Sequence, residues 1–575
     1  LYGDASDAAR SVFEAIYDGP YDTRGFQIQP VILEKIPSLK DGDARLESVQ
    51  VNPGDLIIDH TGAWNNLGEG VGFRPAGCTS PDCVQTYTGS APVNMDRLIV
   101  RFKLLAGLRW SDGAPLTADD SVYSYEIATS IFPAYRPDLI NLTQSYQAID
   151  ETTVEWIGPP GYQGPRYSTF FFSPLPRHAW GILSTDDLAS APLSAQTPLG
   201  WGPYRIEEWT SGDHITLSRN PNYYRAAEGL PRFDKLVYRF VPTGKEALDA
   251  LLAGECDLAS ANTLLETQAD ALFVLQAEGR LAVYSQAGTA WEQAAFNLAP
   301  VDEKKPRLFA KQEVRQAIAS CIDRQRMVDE LFAGRAVVID SYVLPDHPLY
   351  NPEIQRYPFD PAKASELLTA AGWLDLDGDP GTPRTSQGIA GVPDGVPFEF
   401  TFLSAQDEER QRAAQIVRES LAQCGIQVKI ELLPYADLLS PGPQGPVFGR
   451  QFDMAQFGWM TTLEPPCSLY ITDEIPGPYP DFPKGWGGAN PTGFSNPELD
   501  AACRLSAASF PDLPQFTQAH QQAQAIFPEH LPAIPLYTRF QLIASRPDLC
   551  GLIASDPLEN ALWNLEGLDI GESCP

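Results

Sequence analysis

The chain has 575 residues and a mass of 63.0 kDa, which predicts roughly four domain-sized units at about 150 residues each. It carries 41 Lys and Arg against 74 Asp and Glu, a formal net charge of −33, which excludes nucleic acid as a partner because a phosphate backbone requires clustered cations. Hydrophobic residues at 43% and charged residues at 20% exclude a disordered chain, and no apolar stretch approaches the roughly 18 residues of a membrane span.

Cysteine, glycine and proline usage narrows the class further. Nine cysteines are too many to be incidental in a reducing compartment and too few for a disulfide-rich miniprotein, so we expect an extracytoplasmic protein. Glycine (45) and proline (52) are frequent but not periodic, which predicts many fixed turns and long ordered loops. The sequence opens at Leu1 without an initiator Met or an apolar signal segment, so we expect that any export signal either has been removed or was never part of this sequence.

The first part of the chain begins with a helix. Apolar residues recur at three- and four-residue spacing from Ala9 to Ile16, whereas residues 62–95 show no period and predict a loop. A strand is predicted at Leu98–Leu104. Thr117 and Asp120 have the spacing of a capping box and predict the start of the next helix.

Strands then alternate with helices. Further strands are predicted at Asp150–Trp156, Tyr204–Trp209, His214–Arg219 and Lys235–Phe240. A helix with an apolar face from Ala247 to Leu252 follows and ends at Gly254.

From about residue 290 the alternation becomes clearer. Asp360 and Pro361 predict a helix start, and Gly372 predicts its end. The next elements are a helix at Asp407–Gln423, a strand at Ile426–Leu432, and Pro/Gly-rich loops at 436–450 and 475–493. The pattern predicts a large α/β protein with at least two lobes.

Seven segments follow one another along the chain in an order that is typical of one family. They are WSDGAPLTADDSVYSYE (110–126), TPLGWGPYRIEEWTSGDHITLSRNPNYY (197–224), EALDALLAGECDLA (246–259), VRQAIASCIDRQRMV (314–328), FDMAQFGW (452–459), NPTGFSNPELD (490–500) and LPAIPLY (531–537). Each segment alone is a weak signal. Together they resemble the extracytoplasmic solute-binding proteins of peptide and nickel ABC importers.

The resemblance implies an α/β fold, namely a two-lobed periplasmic-binding-protein-like clamshell of type II. Lobe I is expected at residues 1–270, with an extra subdomain at about 40–195, and again at 535–575. Lobe II is expected at 271–534. The ligand is expected in the cleft between the lobes, where contacts with both lobes favour the closed form.

The resemblance also implies a function. The expected protein is a non-enzymatic, monomeric substrate-binding protein of an ABC transporter, without a cofactor, that captures a peptide-like solute and delivers it to a membrane permease. A lipid anchor on a cysteine preceding the sequence is implied by the resemblance alone. An oligosaccharide-binding receptor of the same fold is the alternative, and an enzyme on this scaffold is a third hypothesis, although the sequence has no nucleophile elbow, HExxH helix or P-loop.

Members of this family bind peptides largely through the ligand backbone, which adds an extended strand. Carried over position by position, the resemblance implies a set of ligand-binding residues, with a packed or solvent-edge role as the alternative for each of them. The set is Tyr2, Gly3, Trp291, Asn297, Tyr435, Gln456, Trp459, Asn490 and Phe494. Trp486 joins it because, with Trp291 and Trp459, it would suit a stacked oligosaccharide.

One position departs from the family pattern. Peptide binders usually carry an Asp three residues after the Gly-Trp pair, where it anchors the free amine of the peptide. Here Thr462 stands at that position after Gly458 and Trp459. Either Glu464 supplies the charge or the ligand lacks a free ammonium group, because a cation in a dry cleft requires a paired anion.

Two cysteine pairs are predicted. Cys78 and Cys83 are close enough to close a loop tip, and Cys321 and Cys424 would form a lobe II pair. The alternative is that these residues are free thiols packed as small apolar groups.

An acidic turn is a weak metal candidate. Asp375, Asp377 and Asp379 alternate as in a Ca²⁺ loop, but Ser386 stands where an EF-hand carries its last ligand, a Glu. The alternatives are a solvated turn and a bound cation.

Overall fold

A computed structural model describes residues 6–131, 136–260, 263, 265–302, 304–379, 381–553, 558 and 560–571. The chain divides into two compact units. Unit 1 consists of Leu1–Gln286, Ala507–Leu513 and Gln541–Pro575, and unit 2 consists of Ala287–Ser506 and Pro514–Phe540.

The elements up to the first crossing between the units belong to unit 1. Its helices are α1 (Asp7–Ile16), α2 (Ala118–Ser130), α3 (Pro137–Asn141), α4 (Arg177–Trp180), α5 (Pro192–Ala195), α6 (Gly244–Leu252) and α7 (Ala269–Ala277). Its strands up to there are β1 (Tyr21–Arg24), β2 (Gln27–Pro30), β3 (Ala44–Val51), β4 (Leu56–Ile58), β5 (Trp64–Asn66), β6 (Gly72–Phe73), β7 (Gln85–Thr86), β8 (Val93–Lys103), β9 (Ser145–Ala148), β10 (Thr153–Ile157), β11 (Tyr204–Thr210), β12 (His214–Arg219), β13 (Lys235–Arg239) and β14 (Leu258–Ala259).

The remaining elements follow from the first crossing onward. The strands are β15 (Ala282–Phe296), β16 (Trp373–Leu374), β17 (Thr385–Ser386), β18 (Glu399–Ala405), β19 (Gln427–Leu433), β20 (Met454–Met460), β21 (Ala533–Ser545), β22 (Leu549–Cys550) and β23 (Asp569–Ile570). The helices are α8 (Gln312–Cys321), α9 (Arg324–Phe332), α10 (Pro361–Ala371), α11 (Glu408–Ala422), α12 (Tyr435–Leu438), α13 (Pro497–Ala507) and α14 (Pro514–His530). Among the helices of the described residues, none combines the length and the apolar character that crossing a bilayer requires.

Unit 1 is built on two antiparallel sheets with the orders β3-β8-β10-β9 and β11-β12-β13. Trp110, Trp156 and Trp201 are buried in the core of this unit. The capping box of α2 forms as predicted, and the carboxylate of Asp120 also accepts a hydrogen bond from the Trp110 indole at 3.2 Å. The cap therefore fixes both the start of the helix and a large core side chain.

Unit 1 also buries a pair of carboxylates, which we call the Asp18 cluster. The Tyr223 and Tyr224 hydroxyls donate to Asp18 Oδ2 at 2.5 and 3.2 Å, and Arg225 Nη1 donates to Glu566 Oε1 at 2.6 Å. Burial raises the pKa of Asp18 and raises the pKa of Glu566 to about 7. The cluster ties the segment after α1 to the C-terminal region of the unit.

Unit 2 contains a mixed sheet with the order β21-β15-β20-β18-β19. Strands β15 and β20 are antiparallel, whereas β18 runs parallel to both of its neighbours, β19 and β20. The Asp407 side chain caps α11 by accepting from the Arg410 amide, and α11 packs on β18 and β19. The carboxyl ends of β18 and β20 therefore lie on the same side of the sheet as the start of α11.

Helix α10 shows the same agreement between sequence and structure. The Asp360 side chain accepts a hydrogen bond from the Lys363 amide, Pro361 opens the helix, and Gly372 ends it with φ 98°. A Cβ at Gly372 would also lie 2.6 Å from the Gln387 carbonyl, so both conformation and space require glycine here.

Two features differ from the sequence expectations. The predicted loop at 62–95 contains the short strands β5, β6 and β7, and the strand expected at Leu98–Leu104 lies within the longer β8, which begins at Val93. Short strands of two or three residues carry no readable period, because alternation needs at least four residues to be recognised.

Both predicted disulfides are present. Cys78 pairs with Cys83, and Cys321 pairs with Cys424. A third bond joins Cys467 and Cys503, with their Cα atoms 5.6 Å apart. The sequence spacing did not identify this third pair, because connectivity among many cysteines cannot be derived from spacing alone.

Candidate functional site

The C-terminal end of β20 in unit 2 brings together aromatic and charged side chains, including some of the predicted site residues. In the register of β15 and β20, Trp291 opposes Trp459 and Glu292 opposes Gly458. Because side chains alternate along a strand, the two tryptophans lie on one face of the sheet, and Glu292 lies on the opposite face.

The backbone of β20 has an open edge at this end. Thr461 donates its amide to the Thr289 carbonyl at 3.0 Å, so this pair is hydrogen-bonded across the two strands. Bonded and non-bonded pairs alternate in an antiparallel ladder, so Gly458 and Met460 point their backbone groups away from β15. On that side β18 is registered only with Met454 and Ala455.

We call this segment, Gly458–Met460, the open edge. Within the described residues, the Gly458 amide faces the Tyr435 hydroxyl and acts to lower its pKa, while the Gly458 carbonyl and both backbone groups of Met460 have no partner on that side. The Met460 side chain is 57% exposed. The segment therefore offers two carbonyls and one amide in extended conformation, as a strand edge does before another strand pairs with it.

A group of four charged side chains lies behind the open edge, on the Glu292 face, and two of them, Glu292 and Arg410, are buried. Arg410 donates to both oxygens of Glu292, at 3.1 and 2.5 Å, and Arg539 donates to Glu292 at 3.4 Å and to Glu409 at 2.7 Å. Glu292 itself is fully buried. We call these four residues, two arginines and two glutamates, the Glu292 cluster.

The pKa shifts show that the two arginines of the cluster hold their charges by pairing with carboxylates. Burial by itself lowers the pKa of Arg410, but the Glu292 carboxylate outweighs it and the net shift is upward. Burial also raises the pKa of Glu409, and Arg539 opposes that shift. Each arginine thus remains charged because a carboxylate faces it at close range.

The Glu292 cluster fixes the position of Tyr435 beside the open edge. The guanidinium of Arg410 lies 4.4 Å from the centre of the Tyr435 ring, and the Tyr435 hydroxyl faces the Gly458 amide. A Cβ at Gly458 would lie 3.0 Å from Glu292 Oε1. The glycine therefore lets the buried carboxylate approach the strand closely.

The opposite face carries a cavity of about 300 Å³, which we call the Trp cavity. Its lining consists of Leu439, Pro441, Phe448, Trp459, Trp486 and residues 487–489. None of these lining side chains is charged. Phe448 meets Trp459 edge-on with ring centres 6.4 Å apart, so the cavity is largely aromatic and apolar.

The structure places the predicted site residues in three groups. Tyr435, Trp459 and Trp486 are partly exposed and surround the open edge and the Trp cavity. Tyr2 and Gly3 lie outside the described residues. Glu464 is partly exposed and already engaged within the protein.

The other predicted site residues are buried within unit 2. Trp291 and Gln456 are fully buried; the side chain of Asn297 donates to two backbone carbonyls, that of Asn490 also donates to two, and Phe494 packs against His530. These residues therefore have the packed role that was the alternative in the sequence analysis. Their contact with a ligand stays a prediction.

Sequence reasoning missed Glu292, Arg410 and Arg539. Two of them carried a readable signal, because Glu292 and Arg539 are charges inside otherwise apolar strands (TAWEQAAF and IPLYTRF), and buried charges are expected to be paired. Arg410 lies in a run of charged residues, so nothing in the sequence distinguished it. Phe448 lies in a loop that the sequence identified only by its Pro and Gly content, so nothing marked this residue as part of a site.

The weak metal candidate is not supported. Asp375 accepts from the Gly378 amide at 2.7 Å, Asp377 accepts from the Asp379 amide at 3.0 Å, and Asp379 accepts from the Gly381 amide at 2.8 Å. In the described part of the chain, no group of three or more His, Cys, Asp or Glu side chains is arranged to hold a metal ion. The carboxylates stabilise a turn, which is the solvated alternative.

Unit 1 has a cavity of about 400 Å³ of its own. It is lined by Val49, Gln50, Val51, Asp55, Leu56, Arg97, Gln144 and Pro160. None of the residues predicted for the site lies there, and its one arginine is paired with Glu47.

Comparison with known proteins identifies relatives along most of the chain. The family model of bacterial extracellular solute-binding proteins, family 5, matches residues 87–477. The oligopeptide-binding protein AppA of Bacillus subtilis is 26% identical over 447 residues, covering 76% of this chain and 74% of AppA. A probable ABC transporter-binding protein of Deinococcus radiodurans is 23% identical over 418 residues, covering 68% of each chain.

A solved structure matches as well. The oligopeptide-binding protein of Thermus thermophilus, complexed with a pentapeptide, has a TM-score of 0.62 and 22% identity, covering 98% of this chain and 92% of that protein. At this identity the match concerns the fold, and it confirms the predicted fold class.

Proposed function

This chain belongs to the bacterial extracellular solute-binding proteins of family 5, as the sequence resemblance predicted, and on that premise we propose that it captures a peptide and delivers it to the permease of an ABC importer. The names of the relatives from Bacillus subtilis and Deinococcus radiodurans support both parts of the proposal. The name of the Bacillus subtilis relative favours a peptide over an oligosaccharide. The proposal includes an extracytoplasmic, monomeric receptor without catalysis of its own.

The observation that carries the proposal is the open edge of β20. Its unpaired carbonyls and amide at Gly458 and Met460 suit the backbone of an extended peptide, which has one donor and one acceptor per residue. An oligosaccharide would use the aromatic rings but has no strand-like ladder to match this edge. Rings flank the edge on both faces, Tyr435 on one and Trp459 on the other.

Calorimetry with defined ligands tests the proposal. We expect an extended pentapeptide to bind, with a Kd of about 1 μM as the order of magnitude for such a cleft. Two further versions of the peptide would carry backbone N-methyl groups, one at the odd-numbered and one at the even-numbered residues. We expect one of them to bind at least about tenfold more weakly, because it loses the N–H donors that face the edge. Binding of a β-linked glucose pentasaccharide in place of the peptide would overturn the proposal.

Met460→Pro tests the edge itself. The Met460 amide points away from β15, so proline removes a donor from the open edge without removing a bond of the β15 ladder. We expect at least about tenfold weaker peptide binding with the fold retained, and Met460→Ala, which keeps the amide, should lose less. Equal losses in the two variants would show that the edge does not bind the peptide.

A further inference from the structure

On the basis of the proposed function, we propose that the Trp cavity is the pocket for one uncharged aromatic or branched apolar side chain of the bound peptide. Phe448 and Trp486 are the residues that decide this preference. The inference concerns selection among peptides, whereas the open edge concerns peptides in general.

The position of the cavity relative to the open edge supports the proposal. A peptide strand paired with Gly458–Met460 would direct successive side chains to opposite faces of the sheet. Side chains on the Trp459 face would point toward the Trp cavity, which Trp459 lines. Those on the other face would point toward Tyr435 and the Glu292 cluster. Only every second residue of the bound peptide therefore directs its side chain toward the cavity.

The chemistry of the lining defines the occupant. The chain carries a net charge of −33, yet no lining side chain of the Trp cavity is charged or carries an amide. A volume of about 300 Å³ corresponds to roughly ten water molecules at about 30 Å³ each. Water against such a surface has few polar partners, so an apolar side chain that displaces it strengthens binding, whereas an ionised side chain would lose its hydration without gaining a partner.

The walls of the cavity are held by contacts that do not depend on a ligand. Trp486 lies against Gly442, where a Cβ would approach the indole ring to 2.3 Å. The loop after Trp486 is tied down because the Asn490 amide donates to the Glu474 carbonyl at 2.8 Å and the Ala489 amide donates to the Glu474 carboxylate at 3.2 Å. A preorganised pocket of this kind avoids the cost of ordering its walls upon binding.

A set of matched peptides tests the inference. Pentapeptides of alanine would carry Phe, Leu or Asp at one position in turn, with binding measured by calorimetry. We expect Phe to improve affinity by at least about tenfold over Ala at one position, because burying such a side chain is worth roughly a factor of ten or more. Leu should lie between the two, and Asp at the same position should bind more weakly than Ala.

Two variants of opposite kind link that preference to the cavity. Trp486→Ala removes one wall and should reduce the advantage of Phe over Ala. Gly487→Leu adds a side chain at the rim, where a Cβ meets no atom within 4 Å, and should reduce the same advantage by occupying space. Tyr479→Ala, which removes a ring that is 78% exposed and outside the lining, is the matched control and should keep the Phe preference.

The outcomes separate this inference from the proposed function. If the wild type binds peptides but shows no Phe preference at any position, or if Gly487→Leu and Trp486→Ala weaken all peptides equally, the inference is wrong and the function stands. If no peptide binds, the proposed function fails first. Melting temperatures of each variant show whether a loss reflects misfolding, and Gly487→Leu, which removes no contact, keeps the test decisive if Trp486→Ala does not fold.

Discussion

The two units bury carboxylates in different ways. In unit 1 the Asp18 cluster sets phenolic hydroxyls against one carboxylate and a single arginine, Arg225, against Glu566, and the pKa of Glu566 is raised to about 7 by burial. In unit 2 the Glu292 cluster sets two arginines against two carboxylates, and the pKa of Arg410 is raised. Burial thus favours a neutral acid in the first case, whereas in the second the Glu292 carboxylate outweighs the effect of burial on Arg410.

The difference follows from what each cluster supports. The Asp18 cluster joins distant segments of unit 1, and a neutral acid is sufficient to hydrogen-bond them. The Glu292 cluster contacts Tyr435 through Arg410 and lies against Gly458 at the open edge of β20. Ion pairing holds a buried charge and its partner together, because removing either partner would leave an uncompensated charge.

The largest expected effect is the loss of an ion pair in unit 2. Arg410→Met removes both hydrogen bonds from Arg410 to the fully buried Glu292 and leaves the longer contact from Arg539. We expect the free energy of unfolding to fall by about 3–5 kcal/mol, measured by urea denaturation.

Two further variants sharpen that measurement. Arg412→Met removes an arginine of the same helix whose side chain is 39% exposed and pairs at the surface with Glu330, and it should cost far less. Adding Glu292→Gln to Arg410→Met should recover part of the loss, because the uncompensated charge is gone. Similar losses in Arg410→Met and Arg412→Met would contradict the contrast between the clusters.

The next effect is a pH dependence in unit 1. The pKa of Glu566 is raised from 4.5 to about 7, so its contribution to stability is fully present below about pH 4.5 and is lost as the pH rises through about 7. Glu566→Gln stays neutral and should be more stable than the wild type at pH 8 by about 2–3 kcal/mol, with little difference at pH 4.5.

A control distinguishes this effect from general repulsion at high negative charge. Glu228→Gln removes an exposed carboxylate that contacts the same Arg225, and it should keep the pH slope of the wild type. Asp18, whose pKa is raised in the same direction, should leave a residual slope in Glu566→Gln. Denaturation curves at the two pH values test both points, and equal slopes in the two variants would count against the Asp18 cluster as the source.

A smaller effect is expected from the ring beside the open edge. Tyr435→Phe removes the hydroxyl that faces the Gly458 amide and should lower the unfolding free energy by at most about 1 kcal/mol. Tyr479→Phe, at a ring that is 78% exposed, is the control for loss of a hydroxyl. If Tyr435→Phe binds peptide as tightly as the wild type, Tyr435 does not position the edge.

The smallest effect concerns the amino terminus of the peptide. Thr462 stands where the family resemblance implies an anchoring Asp, its hydroxyl donates to the Glu464 carbonyl at 2.7 Å, and Glu464 is already engaged within the protein. We therefore expect acetylated and free peptides to bind within about fivefold of each other. A larger preference for the free amine that Glu464→Gln abolishes would identify Glu464 as the anchor instead.

The sequence predicted the ends of helices well, because particular residue types are strongly preferred at helix caps. Asp360, Pro361 and Gly372 marked both ends of α10, and Thr117 with Asp120 marked the start of α2, because caps depend on neighbours within four residues. The two predicted cysteine pairs were also correct. The lobe boundaries expected at 270 and 535 stay a prediction.

The site was only partly readable from the sequence. Trp459 and Trp486 were named, but the sequence did not show that they share a cavity, nor that Phe448 completes it. Of the other named residues, Trp291 and Gln456 turned out to be buried, because alternation along a strand does not reveal which face a neighbouring loop covers.

The residue order alone determined the family, the α/β class and the ends of several helices, since these depend on short-range patterns of caps, turns and periodicity. Only the tertiary structure decided that β18 pairs with β20 at Met454 and Ala455 and leaves Gly458–Met460 open, and that Glu292, Arg410 and Arg539 meet behind that edge. Strand pairing and charge pairing between distant segments depend on how far each element extends in space, which no local pattern encodes.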